Sequence, residues 1–277
     1  MNRIDLKFKE LKKNNKKAFI AFIMAGDPSI DITEKLIFEL ETSGADIIEL
    51  GVPFSDPLAD GPTIQRSSQR ALKNKVNLDS VFNLVKRIRS RTQVPVVFLT
   101  YYNLIYYYGL ERFARMAKAS GVDGAVIPDL PFEESGPLRD VARKNGVAIA
   151  HLAAPTSSKE RLKKIAEAST GFIYYVSLTG TTGAREILPQ EIFENLRLIK
   201  KMTRKPVCVG FGISSAEQVA RISMAADGVI VGSAIVKVIE KNIGKKDLVK
   251  KVGGFVKTLV KSKIRSTKSE TNSKHKI

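Results

Sequence analysis

The stretch Ala18-Phe19-Ile20-Ala21-Phe22-Ile23-Met24 is followed by a segment of helical period over Asp31–Ser43 and then by Asp46-Ile47-Ile48-Glu49-Leu50-Gly51. Near-continuous apolarity over so few residues is what a strand needs when helices cover its sheet from outside. The same unit recurs along the chain. Further apolar runs lie at Val94–Tyr101, Gly124–Pro128, Val147–Ala153, Gly171–Ser177, Pro206–Gly210 and Asp227–Val231, which makes eight. Helical segments alternate with them at Asp79–Arg91, Leu110–Ser120, Glu133–Asn145, Ser158–Ala168, Gln190–Met202 and Ser214–Met224. Gly44, Gly121 and Gly146 follow such segments, where a left-handed cap ends a helix. Ser214, with Glu217 three places later, carries the capping-box signature at the start of the last one. Eight alternations predict an α/β fold, an eight-stranded parallel (β/α)8 TIM barrel with extra helices. An open doubly wound sheet is the alternative. It usually has fewer strands, and the Gly-x-Gly-x-x-Gly of a dinucleotide site is missing after the first strand.

Composition narrows the class. The chain has 277 residues, 43% hydrophobic and 27% charged, enough to bury a sizeable core. No run has the length of a membrane span. The N-terminal apolar run follows a lysine-rich segment and has no small-residue cleavage site after it, which argues against a secretory signal and for a cytoplasmic protein. A single cysteine, Cys208, excludes a disulfide framework, and His151 and His275 are too far apart to suggest a metal site. The formal charge of +18 is concentrated at the ends: residues 1–17 carry +5 and residues 241–277 carry +10, leaving +3 for the body. From Lys261 onward only Ile264 and Ile277 are apolar. The expected organisation is one catalytic barrel over 1–262 and a basic tail over 263–277 without fixed structure. Solubility explains such lysines, with incidental binding to nucleic acid or anionic surfaces as the other reading; no aromatic residues are interleaved to stack on bases.

Long strand-to-helix loops mark the face where barrels keep their chemistry. Leu58–Leu72 has room for a turn and an extra helix, and Leu178–Pro189 is a second long insertion. Glu49 sits in the second strand with the opposite facing to Ile48 and Leu50, so it can point into the barrel mouth. It is either a structural acid held by a backbone or basic group, or a working carboxylate with a raised pKa. Asp56 and Asp60 follow in a Pro/Gly loop. Asp56 reads as turn chemistry, whereas Asp60 can reach over the mouth and pair with Glu49 in acid/base work. Thr182-Gly183-Ala184, Gly210-Phe211-Gly212-Ile213-Ser214 and Val231-Gly232-Ser233-Ala234 stand at consecutive strand ends, where glycines and a helix N-terminus suit a phosphate. His151 reads as a satisfied core residue and Cys208 as a small buried hydrophobe. The tyrosines at 101, 102 and 106–108 read mostly as packing, with Tyr102-Asn103 as a hydrogen-bonding strap near the mouth the other reading.

These residues resemble the alpha subunit of tryptophan synthase. The run E-L-G-V-P-F-S-D-P-L-A-D-G-P-T-I-Q at 49–65 carries the likeness most specifically. A-G-D-P at 25–28, P-D-L-P at 128–131, T-G-A at 182–184, G-F-G-I-S at 210–214 and V-G-S-A-I-V at 231–236 support it. The resemblance implies retro-aldol cleavage of indole-3-glycerol phosphate to indole and glyceraldehyde 3-phosphate in tryptophan biosynthesis. It implies Glu49 and Asp60 as catalytic residues, and an indole lining of Phe22, Leu99, Val126, Tyr174 and Ile230. It also implies phosphate contacts from Gly183, Phe211, Gly212, Gly232 and Ser233, with Thr182 in a closing loop. No cofactor is implied in this chain; pyridoxal phosphate belongs to a beta subunit, expected to dock on Pro53–Asp60 and the strap from Tyr101 in an alpha2-beta2 heterotetramer. Leu178 replaces a basic residue often found near that position, and the tail exceeds the usual family length. The alternatives are another phosphate-binding barrel lyase or isomerase and, more distantly, a basic nucleic-acid-binding scaffold. A ring-closing synthase would want a lysine at an inward strand position, and the eight runs contain none.

Overall fold

The computed structural model describes residues 1–176, 190–210 and 212–273. The first half of the chain forms α1 (Arg3–Lys13), β1 (Ala18–Met24), α2 (Ile30–Thr42), β2 (Ile47–Gly51), α3 (Pro62–Lys73), α4 (Leu78–Ile88), β3 (Val96–Leu99), α5 (Tyr102–Tyr108), α6 (Leu110–Ser120) and β4 (Gly124–Val126). Next come α7 (Gly136–Lys144), β5 (Ala148–Ala150), β6 (Leu152–Ala153), α8 (Lys159–Ala168) and β7 (Ile173–Val176). The last elements are α9 (Gln190–Met202), β8 (Val207–Gly210), α10 (Ala216–Ala225), β9 (Gly228–Val231), α11 (Ser233–Glu240) and α12 (Leu248–Ser273).

All pairings are parallel, in the order β5-β4-β3-β2-β1-β9-β8-β7-β6. The two ends of this order are consecutive in the chain, separated only by His151, so the sheet closes on itself. This corrects the expected count: nine strands are present among the described residues, because the run expected as one strand over Val147–Ala153 is divided. Its first half pairs with β4 and its second half with β7, and the change of partner interrupts the ladder at His151. There the His151 amide donates to Ser169 Oγ at 3.3 Å, and the His151 carbonyl accepts from the Tyr174 amide at 3.1 Å. The third run is also shorter than expected, beginning at Val96 because Pro95 has no amide to donate to a ladder.

Strand alternation sorts the core into two shells. Ala18, Ile20, Ile47, Val97, Val126, Ala150, Tyr174, Cys208 and Ile230 fill the barrel interior. Their strand neighbours, such as Phe19, Ile48, Phe98, Tyr175 and Val229, join the shell beneath the helices. Helix α1 closes the N-terminal end with Ile4, Phe8 and Leu11, spaced on one helical face. Its position is pinned because Asn2 Nδ2 donates to the Asp123 carbonyl at 2.9 Å and Arg3 pairs with the Asp123 carboxylate at 3.0 Å. Among the described residues, α1 is the helix that packs into this interior, which leaves the C-terminal end to the loops.

Helix starts and stops follow local chemistry. Gly44, Gly121 and Gly146 all have positive φ, as the expected left-handed caps require. The capping box of α10 is displaced by one residue from its expected place. Ser215, not Ser214, accepts from the Gln218 amide at 3.2 Å, and Gln218 Oε1 accepts in return from the amides of Ser214 and Ser215.

Helix α12 overruns the expected end of the barrel at residue 262. Leu248, Val252, Val256, Leu259 and Val260 form its buried face, each worth about 1.5–3 kcal/mol of burial. Lys263, assigned from sequence to the tail, is 5% exposed, and its ammonium lies 2.7 Å from the Asp46 carboxylate. The same Asp46 oxygen accepts from the Phe19 amide at 2.7 Å, so this ion pair ties the helix to the adjoining ends of β1 and β2. An exposed lysine-rich composition hides such an anchor because its partner is distant in sequence. Replacing Lys263 with Met leaves Asp46 without its cation in a largely buried place. The expected loss is on the order of 3 kcal/mol, read from urea unfolding against wild type.

Candidate active site

Glu49 emerges from the inner face of β2, beside Phe22 of β1 and Val97 of β3 in the register. It is 2% exposed, and its Oε1 has no hydrogen-bond partner among the described residues. Other buried acids in this fold are held by donors. Asp123 receives Arg3, Arg89 and the Val96 amide at 2.9–3.0 Å. Asp27 receives Ser67 and a bidentate Arg70. Among the described residues, no backbone or basic group satisfies that oxygen of Glu49, as a structural acid would require.

Asp60 arrives on the loop between β2 and α3. Its amide donates to the Pro57 carbonyl at 3.0 Å, and its own carbonyl accepts from Gln65 Nε2 at 2.9 Å. The start of the loop is fixed by Ser68, whose hydroxyl accepts from the Phe54 amide at 2.9 Å and donates to the Phe54 carbonyl at 2.8 Å. Asp56 makes only local turn contacts, as its place before proline suggested.

Tyr101 is the site residue whose role the sequence did not reveal. Its hydroxyl donates to Asp60 Oδ2 at 3.1 Å and accepts from the Ala59 amide at 3.1 Å, while its ring packs on Phe54 at 5.1 Å between centroids. The next residue opens α5, where the Tyr102 amide donates to Asp129 Oδ1 at 2.9 Å. Asp129 thus anchors the strap that aims Tyr101, giving the P-D-L-P motif a positional role. The signal available in sequence was a tyrosine at the end of an inward-facing strand run; the dense aromatic cluster around it masked that signal.

The electrostatics separate the two carboxyls. Burial, helped by the Asp60 charge, pushes Glu49 up to about 8. Burial also raises Asp60, to about 6, against the lowering effect of the Tyr101 hydrogen bond. Near neutral pH these values favour the protonated form of Glu49 and the anion of Asp60. Tyr174 is buried close enough for both carboxylates to raise its phenol further.

The other expected residues fall into three groups. Val126, Tyr174 and Ile230 are buried on the inner face with Leu99 half-buried against them, and Phe22 is buried beside Glu49 in the register. Glycines make room for the aromatics. A Cβ on Gly51 would lie 2.8 Å from Phe22 Cζ, and one on Gly210 would lie 2.6 Å from the Tyr174 hydroxyl. Gly232 is the N-cap of α11 and Ser233 its first residue, and among the described residues no side chain caps this first turn, an arrangement suited to an anion. Gly212 has φ +75°, a conformation suited to glycine. Thr182, Gly183 and Phe211, with the loop Leu178–Pro189, lie outside the described residues. His151 is neutral, as expected of a core histidine. Burial drives it down to about 4, and Ser135 Oγ lies 3.3 Å from its Nε2.

A cavity of about 1000 Å3 lies at the opposite, N-terminal end beside α1, lined by Phe8, Lys12, Arg139, Arg204 and Lys205 among others. One of its cations answers a helix C-terminus: Lys205 Nζ donates to the carbonyls of Ala166, Glu167 and Ser169 at 2.6–2.9 Å around the end of α8.

The fold and site define a (β/α)8-barrel enzyme with paired carboxyls at the C-terminal mouth of the barrel. A family model described as "Tryptophan synthase alpha chain" matches residues 8–263. The chain is 50% identical over 259 residues to the tryptophan synthase alpha chain of Caldanaerobacter subterraneus subsp. tengcongensis, covering 94% of this chain and 98% of that one. It superimposes with a TM-score of 0.88 on tryptophan synthase subunit alpha from Legionella pneumophila str. Paris, at 37% identity over 96% and 99% of the two chains. A chain of the tryptophan synthase α2β2 complex from Pyrococcus furiosus superimposes with a TM-score of 0.83 at 43% identity, over 89% and 99%. The chain belongs to the tryptophan synthase alpha chain family.

Two outcomes follow from the site's charge. A native carboxyl that keeps its proton longer than the unfolded chain stabilises fully below the ordinary value of 4.5, and this contribution is lost as pH rises from there to about 8. Glu49→Gln cannot ionise, so its stability relative to wild type is expected to grow across that window, by at most about 1.4 kcal/mol per pH unit. Urea unfolding at several pH values across the window measures it. Tyr101→Phe removes a donor from the charged form of Asp60, and the Asp60 pKa is expected to rise above about 6, as read by carboxyl NMR titration.

Proposed function

We propose that Glu49 and Asp60 cleave indole-3-glycerol phosphate to indole and glyceraldehyde 3-phosphate, the reaction of the family to which the chain belongs. The observation that carries this assignment is the buried Glu49 carboxyl, without a described donor on Oε1 and raised to about 8 beside a partly buried Asp60. Protonated Glu49 delivers its proton to the indole ring carbon that bears the side chain. Positive charge then develops at the ring nitrogen, where the Asp60 anion stabilises it. The resulting Glu49 carboxylate takes the proton of the side-chain hydroxyl. The electron pair of that O–H bond forms the aldehyde carbonyl, the carbon–carbon bond breaks, and its pair returns to the ring. Glu49 is protonated again at the end of the cycle, so the atoms balance without another reactant, and the reading requires no cofactor or metal in this chain.

Phe22, Leu99, Val126, Tyr174 and Ile230 supply an apolar slot for the indole. The open first turn of α11 at Gly232 and Ser233, with Gly183, Phe211 and Gly212, holds the phosphate, and the loop with Thr182 covers the reacting atoms. The Pyrococcus furiosus relative stands in an α2β2 complex. We carry that partner over to this chain: a beta subunit, itself using pyridoxal phosphate, would dock on the face of Pro53–Asp60 and the α5 strap. Leu58 and Tyr107, 89% and 94% exposed, support this face as a contact surface. No described helix is long and apolar enough to cross a membrane, and the proposed compartment is the cytoplasm.

Indole release from indole-3-glycerol phosphate by wild type and by Glu49→Gln, each with and without a beta subunit, tests the reading. Wild type is expected to release indole faster with the partner, and the substitution to lower release by at least about 100-fold. Undiminished release by Glu49→Gln would remove the proton-shuttle assignment.

A further inference from the structure

A charged cluster behind the mouth takes no part in the chemistry above. Arg70, on α3, donates through Nε and Nη2 to the two carboxylate oxygens of Asp27 at 2.7 and 2.8 Å. Through Nη1 it donates to Glu240 Oε1 at 2.7 Å. Ser67 Oγ adds a bond to Asp27 at 2.5 Å, and Arg66 grips both oxygens of Glu240 at 2.8 and 2.9 Å. Asp27 is 1% exposed and the Arg70 side chain 24% exposed, so the inner pair is shielded from water.

The elements joined here are the ones that carry the site. Asp27 lies just beyond β1, the strand of Phe22. Helix α3 begins at Pro62, two residues after Asp60. Helix α11 begins at Ser233 and ends at Glu240, so its first turn faces the phosphate position while its last residue is held by Arg70 and Arg66. Each helix presents one end to the mouth and is tied behind it. A charged cluster that only stabilised the fold could sit anywhere on its surface; this one joins the two helices whose first residues must be a fixed distance apart for one substrate to reach both.

We propose that Arg70 is a positioning residue, which by gripping Asp27 and Glu240 sets the spacing between the phosphate-holding turn at Gly232–Ser233 and the Asp60 carboxylate. This rests on the site assignment under Proposed function. A substrate that joins an indole to a phosphate gains from both contacts only when their spacing matches its length, whereas the separate halves are indifferent to that spacing. Arg70→Lys keeps the charge but loses the planar fork that binds three oxygens at once. Glu240→Gln weakens only the α11 side of the grip.

The test compares three probes on the full-length chain by NMR titration: glycerol 3-phosphate, indole, and the phosphate ester of indole-3-propanol, which links the two. Arg70→Lys is expected to bind each separate half within about twofold of wild type and the linked probe about tenfold more weakly, with a parallel fall in kcat/KM for cleavage. Glu240→Gln is expected to show the same pattern, more weakly, and it decides the matter if Arg70→Lys does not fold. Unchanged affinity for the linked probe in a folded variant would overturn the proposal, as would an equal loss for the halves and the linked probe. If wild type itself binds none of the three, the site assignment fails first and the positioning role falls with it.

Discussion

A closed parallel sheet has no unpaired edge, and its interior must be filled by one face of every strand. Closure here runs through a single residue, His151, where one strand changes partner from β4 to β7. The interior is packed from the N-terminal end by Ile4, Phe8 and Leu11 of α1 and by alternate strand residues above them. Among the described residues, that leaves the C-terminal end as the place where polar groups can meet a ligand. Glu49, the loop with Asp60 and the first turn of α11 all occupy that end because strand direction and alternation leave them no other place.

Within this packing, carboxyls are treated in two ways. Asp27, Asp46 and Asp123 are each held by a cation and by further donors, which is the ordinary condition for burying a charge. Glu49 lacks a described partner on Oε1, and desolvation alone is the largest influence on its proton. The fold thus tolerates, on the inner face of β2, a group whose stabilising contribution is lost as pH rises towards about 8. Tyr101 acts in the opposite direction on Asp60, favouring its anion by a hydrogen bond. Burial on one side and donation on the other hold the two carboxyls at different pKa values.

Much of this was legible in the chain order. The strand A-F-I-A-F-I-M is observed over Ala18–Met24, and α6 and α9 match the helical segments read from their periodicity. Local signals of that kind depend on neighbours within a few residues. The displaced capping box of α10 shows their limit: Ser214 and Ser215 are equivalent candidates in sequence, and the N-cap is Ser215. Lys263 and Tyr101 mark a larger limit, since each is defined by a carboxylate far away in sequence, Asp46 for one and Asp60 for the other.

The sequence by itself determined the parallel barrel, the inward facing of Glu49 and the glycine turns at the strand ends, because hydrophobic period and turn chemistry are properties of short segments. The tertiary structure alone decided that Glu49 would lack a described donor while Asp27 would have an arginine, that Tyr101 would meet Asp60, and that the chain would be anchored at Lys263. Those outcomes depend on which groups closure brings within about 3 Å of one another, the range over which a hydrogen bond forms. No local pattern encodes such meetings.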